Sequence, residues 1–324
     1  IASASSLLHT IRRATVIIGA VREIWRYPVK SMAGEKLDAC TVTATGLHGD
    51  RGWALRDEST GEIRGGKKWP ALMQCHATYL EPPTAEHIPH VAIHLPDGAT
   101  VNSDAPDVNK RLSDFLGAPV SLWPVQPASN KAHYRRAQPG AALVGVMGRS
   151  KTLRRVLQTL APYTPLNAQL RGEFSREPGE PIPDLVELPG ELFEFATPPG
   201  TYFDAFPIHM LTTASLNAMK QVNPAAAWDP RRFRPNVVIE TSPEIEGLAE
   251  CTWAQSQIRI GQLTLQCTIP TVRCGMTMHA QRDLPKDPSI LRSIVRDAAQ
   301  NLGTYATVTT PAIVNTGDQI ELLP

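Results

Sequence analysis

"VIIGAVREIWRYPVKS", residues 16–31, decides how the rest of the chain is read. β-branched and aromatic residues crowd the stretch from Val16 to Val29, and a short run of this kind broken by a proline signals a strand. The strand delivers Lys30 and Ser31 at its end, a cation and a hydroxyl that can both reach a phosphate oxygen. Outward from it, "KLDACTVTA", "RGWALRDE", "LMQCHATYLE" and "HVAIHL" repeat the pattern as far as about Leu95. The 29 prolines and 22 glycines interrupt the chain too often for a helical bundle, so a small barrel or sandwich is the expected closure.

"DAPDVNKRLSDFLG" then places Val108, Leu112, Phe115 and Leu116 on one helical face with Gly117 as a stop, which closes a first domain over residues 18–122. Residues 126–206, inside a second domain over 123–324, are rich in proline and glycine and hold no period, and read as a loop-rich insertion around one short helix, "SKTLRRVLQTLAP". Beyond it, "TTASLNAMKQV" carries threonines suited to capping a helix, and "TWAQSQIRIGQLTLQCTI" reads as a hairpin turning at Gly261. "KDPSILRSIVRDAAQN" has Asp287 as N-cap and Pro288 at the first helical position, and "TYATVTT" and "GDQIELL" finish as strands. The fold class expected is mainly β with some α, an α+β arrangement of an N-terminal small barrel and a second β-barrel domain with flanking helices.

At 324 residues, 42% of them hydrophobic, the chain buries a sizeable core without staples. Five cysteines at irregular spacings do not form a disulfide framework, so a reducing compartment, the cytoplasm, is expected. A net charge of +1 argues against nucleic acid as a partner. Residues 1–22 contain Arg12, Arg13 and Arg22 and no acid, a composition that suits either an organellar presequence or a leader remnant over residues 1–17. The apolar run "ATVIIGAV" falls far short of the ~20 residues that span a bilayer, so no membrane span is expected.

"CTIPTVRCGMTMH", Cys267 to His279, is the least core-like stretch. Arg273 beside Cys274 favours a thiolate, and Gly275 lets a bulky group approach, so a thiolate bound to a soft metal is one reading. A buried cysteine packed as a small hydrophobe is the other, and it is preferred for Cys40, Cys75, Cys251 and Cys267. A zinc site from Cys267, Cys274 and His279 has an unfamiliar ligand spacing. Basic groups recur at Lys30, at Arg51 after a glycine-flanked turn, at Lys67 and Lys68, and in "RRFRPN", with Arg231, Arg232, Arg234 and the amide of Asn236. Each alone reads as a solvated face; together they make an anion site only if the fold brings them close.

"YPVKS", "GLHGDRGWAL", "FRPN" and "RC", in this order and at this separation, resemble the MOSC-domain family. The likeness is to the subgroup with an N-terminal MOSC β-barrel domain, which includes the amidoxime reducing components. The resemblance implies a molybdenum cofactor, a phosphate-bearing molybdopterin, held between the two domains. It implies Cys274 as molybdenum ligand, Lys30, Ser31, Arg51, Arg234 and Asn236 as cofactor contacts, and Thr213 and Ser215 as further ones. The implied activity is reduction of N-hydroxylated or N-oxide compounds such as amidoximes and hydroxylamines by a monomer. With no Rossmann or iron–sulfur motif in the sequence, electrons are expected from a separate flavoprotein reductase, cytochrome b5-like protein or ferredoxin. The alternative is a carrier that holds cofactor or persulfide on Cys274. The chain departs from the family after the cysteine: "GMTMHAQRDLPKDPS" replaces a threonine-rich segment leading to an acidic motif, and His279 stands where an aspartate is expected, which makes it the candidate for proton transfer.

Overall fold

The computed structural model describes residues 15–137, 145, 148–164, 166–184 and 186–323. The expected leader lies almost wholly outside the described residues. The first part of the chain forms β1 (Val16–Arg26), β2 (Glu35–Leu37), β3 (Ala39–Thr43), β4 (Gly46–Leu47), β5 (Trp53–Asp57), β6 (Glu62–Arg64), β7 (His76–Tyr79), β8 (Val91–His94) and β9 (Thr100–Asn102). Helix α1 (Val108–Leu116) and β10 (Val120–Pro124) follow. The middle contributes α2 (Lys131–Tyr134), α3 (Lys151–Leu160) and α4 (Leu166–Phe174). The last part supplies β11 (Ile208–Thr212), α5 (Thr213–Val222), β12 (Val237–Thr241), β13 (Gln257–Ile260), β14 (Leu263–Val272), α6 (Pro288–Asp297), β15 (Asn301–Thr310), β16 (Ala312–Asn315) and β17 (Gln319–Leu323). The architecture is the expected mixture, β-rich with helices on the outside.

Seven strands close a barrel in the order β12, β11, β15, β14, β13, β17 and β1, with β1 returning to pair β12. Six of them come from the last part of the chain; the seventh is the opening strand. β1 lies antiparallel to β17 through Val16–Leu322 and to β12 through Gly19–Thr241, and it bulges on both sides. Ile18, Val21 and Ile24 thereby enter a core shared with Met210, Ile239, Ile258, Leu265, Cys267 and Ile320. A second core gathers Val29, Met32, Trp53, Leu55, Leu72, Ile93 and Leu112 under the small sheets β10-β5-β6 and β7-β8-β9 and helix α1. β16 pairs with β3, so strands from both ends of the chain share sheets twice.

The locally encoded elements form as the sequence predicts. The β13–β14 hairpin turns through Gly261 between the paired Ile260 and Leu263. Asp287 caps α6 by accepting from the Ser289 amide at 3.0 Å, and Thr212 caps α5 by accepting from Ser215 at 3.1 Å. Helix α4 was not expected, because "PLNAQLRGEF" shows no sustained apolar period. Among the described residues no helix is long and apolar enough to cross a membrane.

Gly19 is where β1 pairs with both neighbours, at φ +149°, and a Cβ there would lie 2.0 Å from the Glu240 carbonyl oxygen. Gly19→Ala must either pull β12 away or strain the bulge, at a cost of at least about 1–3 kcal/mol. Urea unfolding is expected to show a lower midpoint; an unchanged midpoint would mean that closure by β1 contributes little to stability.

Candidate functional site

Ser31, Arg51 and Arg234 share an uncommon feature: their φ angles are 70°, 53° and 55°, in the left-handed region that non-glycine residues seldom occupy. Strain of this kind persists where surrounding contacts over-determine it. Those contacts centre on Tyr27, at the end of β1. Its carbonyl accepts from the Arg51 amide at 2.6 Å, its amide donates to Asp50 Oδ1 at 2.9 Å, and its hydroxyl donates to the Pro235 carbonyl at 3.1 Å. The Arg51 guanidinium lies 5.0 Å from the Tyr27 ring centroid and that of Arg234 4.3 Å. Arg234 Nη1 donates to the Met32 carbonyl at 2.6 Å, and Arg51 is ion-paired with Asp50. "YPVKS", "GDRG" and "FRPN" are thus bolted together through one aromatic ring.

Beyond the ring, Lys30 Nζ donates to the Tyr202 carbonyl at 2.9 Å and to Asp204 Oδ1 at 2.5 Å. The Asp204 side chain is 67% exposed, although many protein atoms lie around it. Burial works against its carboxylate, but Lys30, then Arg51 and Lys67, outweigh it and hold the group below the usual carboxylate range. Asp204 acts in turn on Arg234, Arg273 and Tyr305. Lys30, Arg51, Lys67, Arg234 and Arg273 therefore share one electrostatic neighbourhood around Asp204. Burial pulls Arg234 down to about 10, with Arg51 adding repulsion, and burial lowers Lys30 as well. Arg234 Nη2 and Arg273 Nε are buried with no hydrogen-bond partner, an expensive state for a cation's donors.

Cys274 belongs to the same neighbourhood, since Lys67, Arg273 and Tyr305 respond to its sulfur as well as to Asp204. It is half-buried at the start of a short 3-10 turn, Gly275–Met278. Arg273, just before it, anchors the end of β14 by donating to Phe233 O at 2.8 Å. The segment after α4 lies over this turn. Arg176 donates to the Arg273 carbonyl at 2.9 Å, Glu173 pairs with Lys67 at 2.6 Å, and a Cβ on Gly275 would lie 2.2 Å from Ser175 Oγ. Gly275 thus makes room for this cover.

Of the residues singled out by sequence, Lys30, Ser31, Arg51, Arg234 and Cys274 belong to this neighbourhood. Asn236 is placed as a tie between strands: its Oδ1 accepts from the His209 amide at 3.1 Å and its Nδ2 donates to Trp25 O at 3.4 Å. Thr213 Oγ1 bonds Thr241, and Ser215 Oγ bonds Glu250 at 2.5 Å, contacts that serve the start of α5 and none of the cations around Asp204. His279 follows the 3-10 turn, its imidazole lowered by burial and by Lys286. Cys267 packs in the barrel core, so the pattern Cys267, Cys274, His279 is not drawn together as a ligand set. Tyr27 lies in the quoted motif "YPVKS" without having been singled out, whereas Glu173, Arg176, Asp204, His209 and Tyr305 went unnoticed in the sequence, where no local pattern marks them.

The MOSC N-terminal beta barrel domain matches residues 18–123, and the MOSC domain matches residues 198–321. Mitochondrial amidoxime reducing component 2 from Bos taurus is 38% identical over 72 residues, 21% of this chain and 21% of that protein. The chain thus spans about a fifth of the length of the curated relative it matches. Among solved structures, the YUAD protein from Bacillus subtilis is similar at TM-score 0.42 and 12% identity, over 95% of this chain and 97% of that one. YiiM from Escherichia coli matches at TM-score 0.28 and 17% identity, over 37% of this chain and 55% of its own.

Burial raises the thiol of Cys40 to about 11 and those of Cys75, Cys251 and Cys267 to about 12. The native protein is therefore expected to give one fast thiol with a disulfide reagent, abolished in Cys274→Ser and kept in Cys251→Ser. Loss of the fast phase in Cys251→Ser instead would misplace the reactive thiol.

His209 is buried between Arg234 O and Arg273 Nη1, each 3.4 Å from a ring nitrogen. Burial first, then Arg273, holds its imidazole well below the ordinary 6.5. The unfolded chain takes up that proton first, so stability is lost as pH falls below about 6.5, by up to about 1.4 kcal/mol per pH unit. His209→Gln should flatten the fall in urea midpoint between about pH 6.5 and pH 5; an unchanged slope would show that His209 does not carry it.

Proposed function

Because the chain belongs to the MOSC-domain family, in the group that carries the N-terminal MOSC β-barrel domain, we propose that it is a molybdenum-cofactor-dependent reductase of N-hydroxylated or N-oxide compounds. What supports this reading is the gathering of Lys30, Arg51, Lys67, Arg234 and Arg273 around Asp204, with Cys274 acting on Lys67 and Arg273. A phosphate-bearing ligand fits this donor set. It would satisfy the orphaned Arg234 Nη2 and relieve repulsion that the protein sustains among its own cations. Residues 18–122 and 123–324 would grip it from two sides, with Lys30, Ser31 and Arg51 on one and Arg234 on the other.

In this role Cys274 supplies a soft thiolate ligand, and Arg273 and Arg176 fix its backbone. When bound, the cofactor supplies the two-electron chemistry that removes oxygen from nitrogen. Water as product requires protons, and Lys67 is placed to hold one beside Cys274. Burial disfavours its ammonium, but Cys274 and Glu173 outweigh that and keep it charged. His279, lowered by burial, stands further along the chain as a second proton carrier. A partner protein, flavoprotein, cytochrome b5-like or ferredoxin, would deliver the electrons. The name of the bovine relative, an amidoxime reducing component, supports the substrate class.

Molybdenum and pterin analysis tests the reading, on protein made in a host that builds the cofactor. Cys274→Ser should retain far less molybdenum than Cys267→Ser, whose thiol packs in the barrel core. Arg234→Ala should lose cofactor, at about 2 to 5 kcal/mol for truncating one side of a buried charged contact. Lys110→Ala, on the exposed face of α1, should not. Equal molybdenum in Cys274→Ser and Cys267→Ser would overturn the ligand assignment, and cyanide-releasable sulfur on Cys274 in place of molybdenum would replace the reductase with a carrier.

A further inference from the structure

Helix α3 is built the wrong way round for a core helix. Leu153, Val156 and Leu160 recur at helical spacing on one side, and they are 40%, 49% and 51% exposed; Tyr163, just beyond, is 87% exposed. Four of the nine large apolar side chains exposed among the described residues thus fall within eleven positions. The side of the helix that faces the protein carries Arg154 instead. Its Nε donates to the Val186 carbonyl at 2.8 Å, its Nη1 bonds the Gly148 carbonyl, and its guanidinium lies 5.9 Å from the Phe193 ring. With those donors matched to fixed carbonyls, the helix cannot roll inward without leaving a buried cation unpaired, so the apolar stripe is held outward. Ser150 fixes its start by accepting from the Leu153 amide at 3.4 Å.

The charge along the helix itself is one-sided. From Arg149 to Arg171 the sequence holds five cations, Arg149, Lys151, Arg154, Arg155 and Arg171, and no carboxylate, on a protein of net charge +1. From the packed segment Glu194 pairs with Arg149 and Glu187 with Lys151, and Glu187 also acts on exposed Arg155 without an ion pair to it. Leucine and valine on one face, lysine and arginine on the other, and a tyrosine at the end are the make-up of a helix that lies in the interface of a bilayer, its apolar face among the acyl chains and its cations at the headgroups. An acidic protein surface would match the cations but leave less reason for a continuous apolar stripe.

We propose that α3 docks the protein on anionic lipid surfaces, peripherally and reversibly, with Leu153, Val156, Leu160 and Tyr163 inserted and Arg155 and Lys151 at the headgroups. The docking is independent of the reaction at Cys274. Flotation of the purified full chain with phosphatidylcholine vesicles, with and without phosphatidylglycerol, tests it. Wild-type protein is expected to float with the phosphatidylglycerol vesicles, and to do so less at high salt, where headgroup attraction is screened. Arg155→Glu, a surface change that leaves the fold alone, should weaken binding by about tenfold and reduce its salt dependence. Leu153→Ser with Val156→Ser should weaken it to both vesicle types, with an unchanged thermal midpoint as the check on folding. Wild-type protein left in the bottom fraction with both vesicle types would overturn the proposal, and would point to a protein partner as the cover. Binding that Arg155→Glu and the serine pair leave untouched would overturn it too.

Discussion

Two guanidinium groups on one tyrosine ring hold this site together, and neither would stay there unaided. Arg51 and Arg234 repel one another, and the burial that brings them to Tyr27 lowers Arg234 further. What offsets the repulsion is local and directional: the ring itself, the Asp50 carboxylate, and the Met32 carbonyl that accepts from Arg234. Because those partners are fixed by β1 and the turns around it, the cations cannot relax apart, and the backbone takes up left-handed conformations at Ser31, Arg51 and Arg234 as a result. A pocket prestrained in this way gains when an anion enters it and loses little in reorganisation.

The barrel makes this clamp possible. β1 must leave the barrel at Arg26 for Tyr27 to reach both the Gly49–Gly52 turn and the 3-10 turn before β12. Had β1 belonged to the first sheets alone, Arg51 and Arg234 would approach only as two surfaces in contact, with no continuous chain fixing their separation. Closure through β1 therefore connects packing to chemistry: the strand that completes the hydrophobic core of one region leads directly into the ring of Tyr27 and the Lys30 cation.

How much of this could be read beforehand follows from the range of each signal. Asp287 before Pro288, the threonines before α5 and the hairpin at Gly261 act within a few residues, and each forms as read. Arg273, Cys274 and Gly275 are also a local cue. The convergence of Lys30, Arg51 and Arg234 is not local, since it depends on strand pairings across some two hundred positions that no spacing encodes; a family resemblance stood in for that information. Asn236, Thr213 and Ser215 came from the same resemblance. Short polar side chains tie strands and cap helices as readily as they touch ligands, and here their partners are His209, Trp25, Thr241 and Glu250. In α3 a short helix was legible, but that alone does not say which face meets the protein, and Arg154 reverses the usual answer.

The segment that resisted reading is also the one that finishes the site. Glu173, Ser175 and Arg176 have no periodic partners in sequence, yet they bind Lys67, crowd Gly275 and hold the Arg273 carbonyl. Arg176 shows the logic: burial lowers its guanidinium to about 10, and the sulfur of Cys274 is the first group that offsets this. Backbone, cation and glycine around Cys274 are thus each met by one residue of this short segment, carried by a stretch whose composition alone suggests only loop.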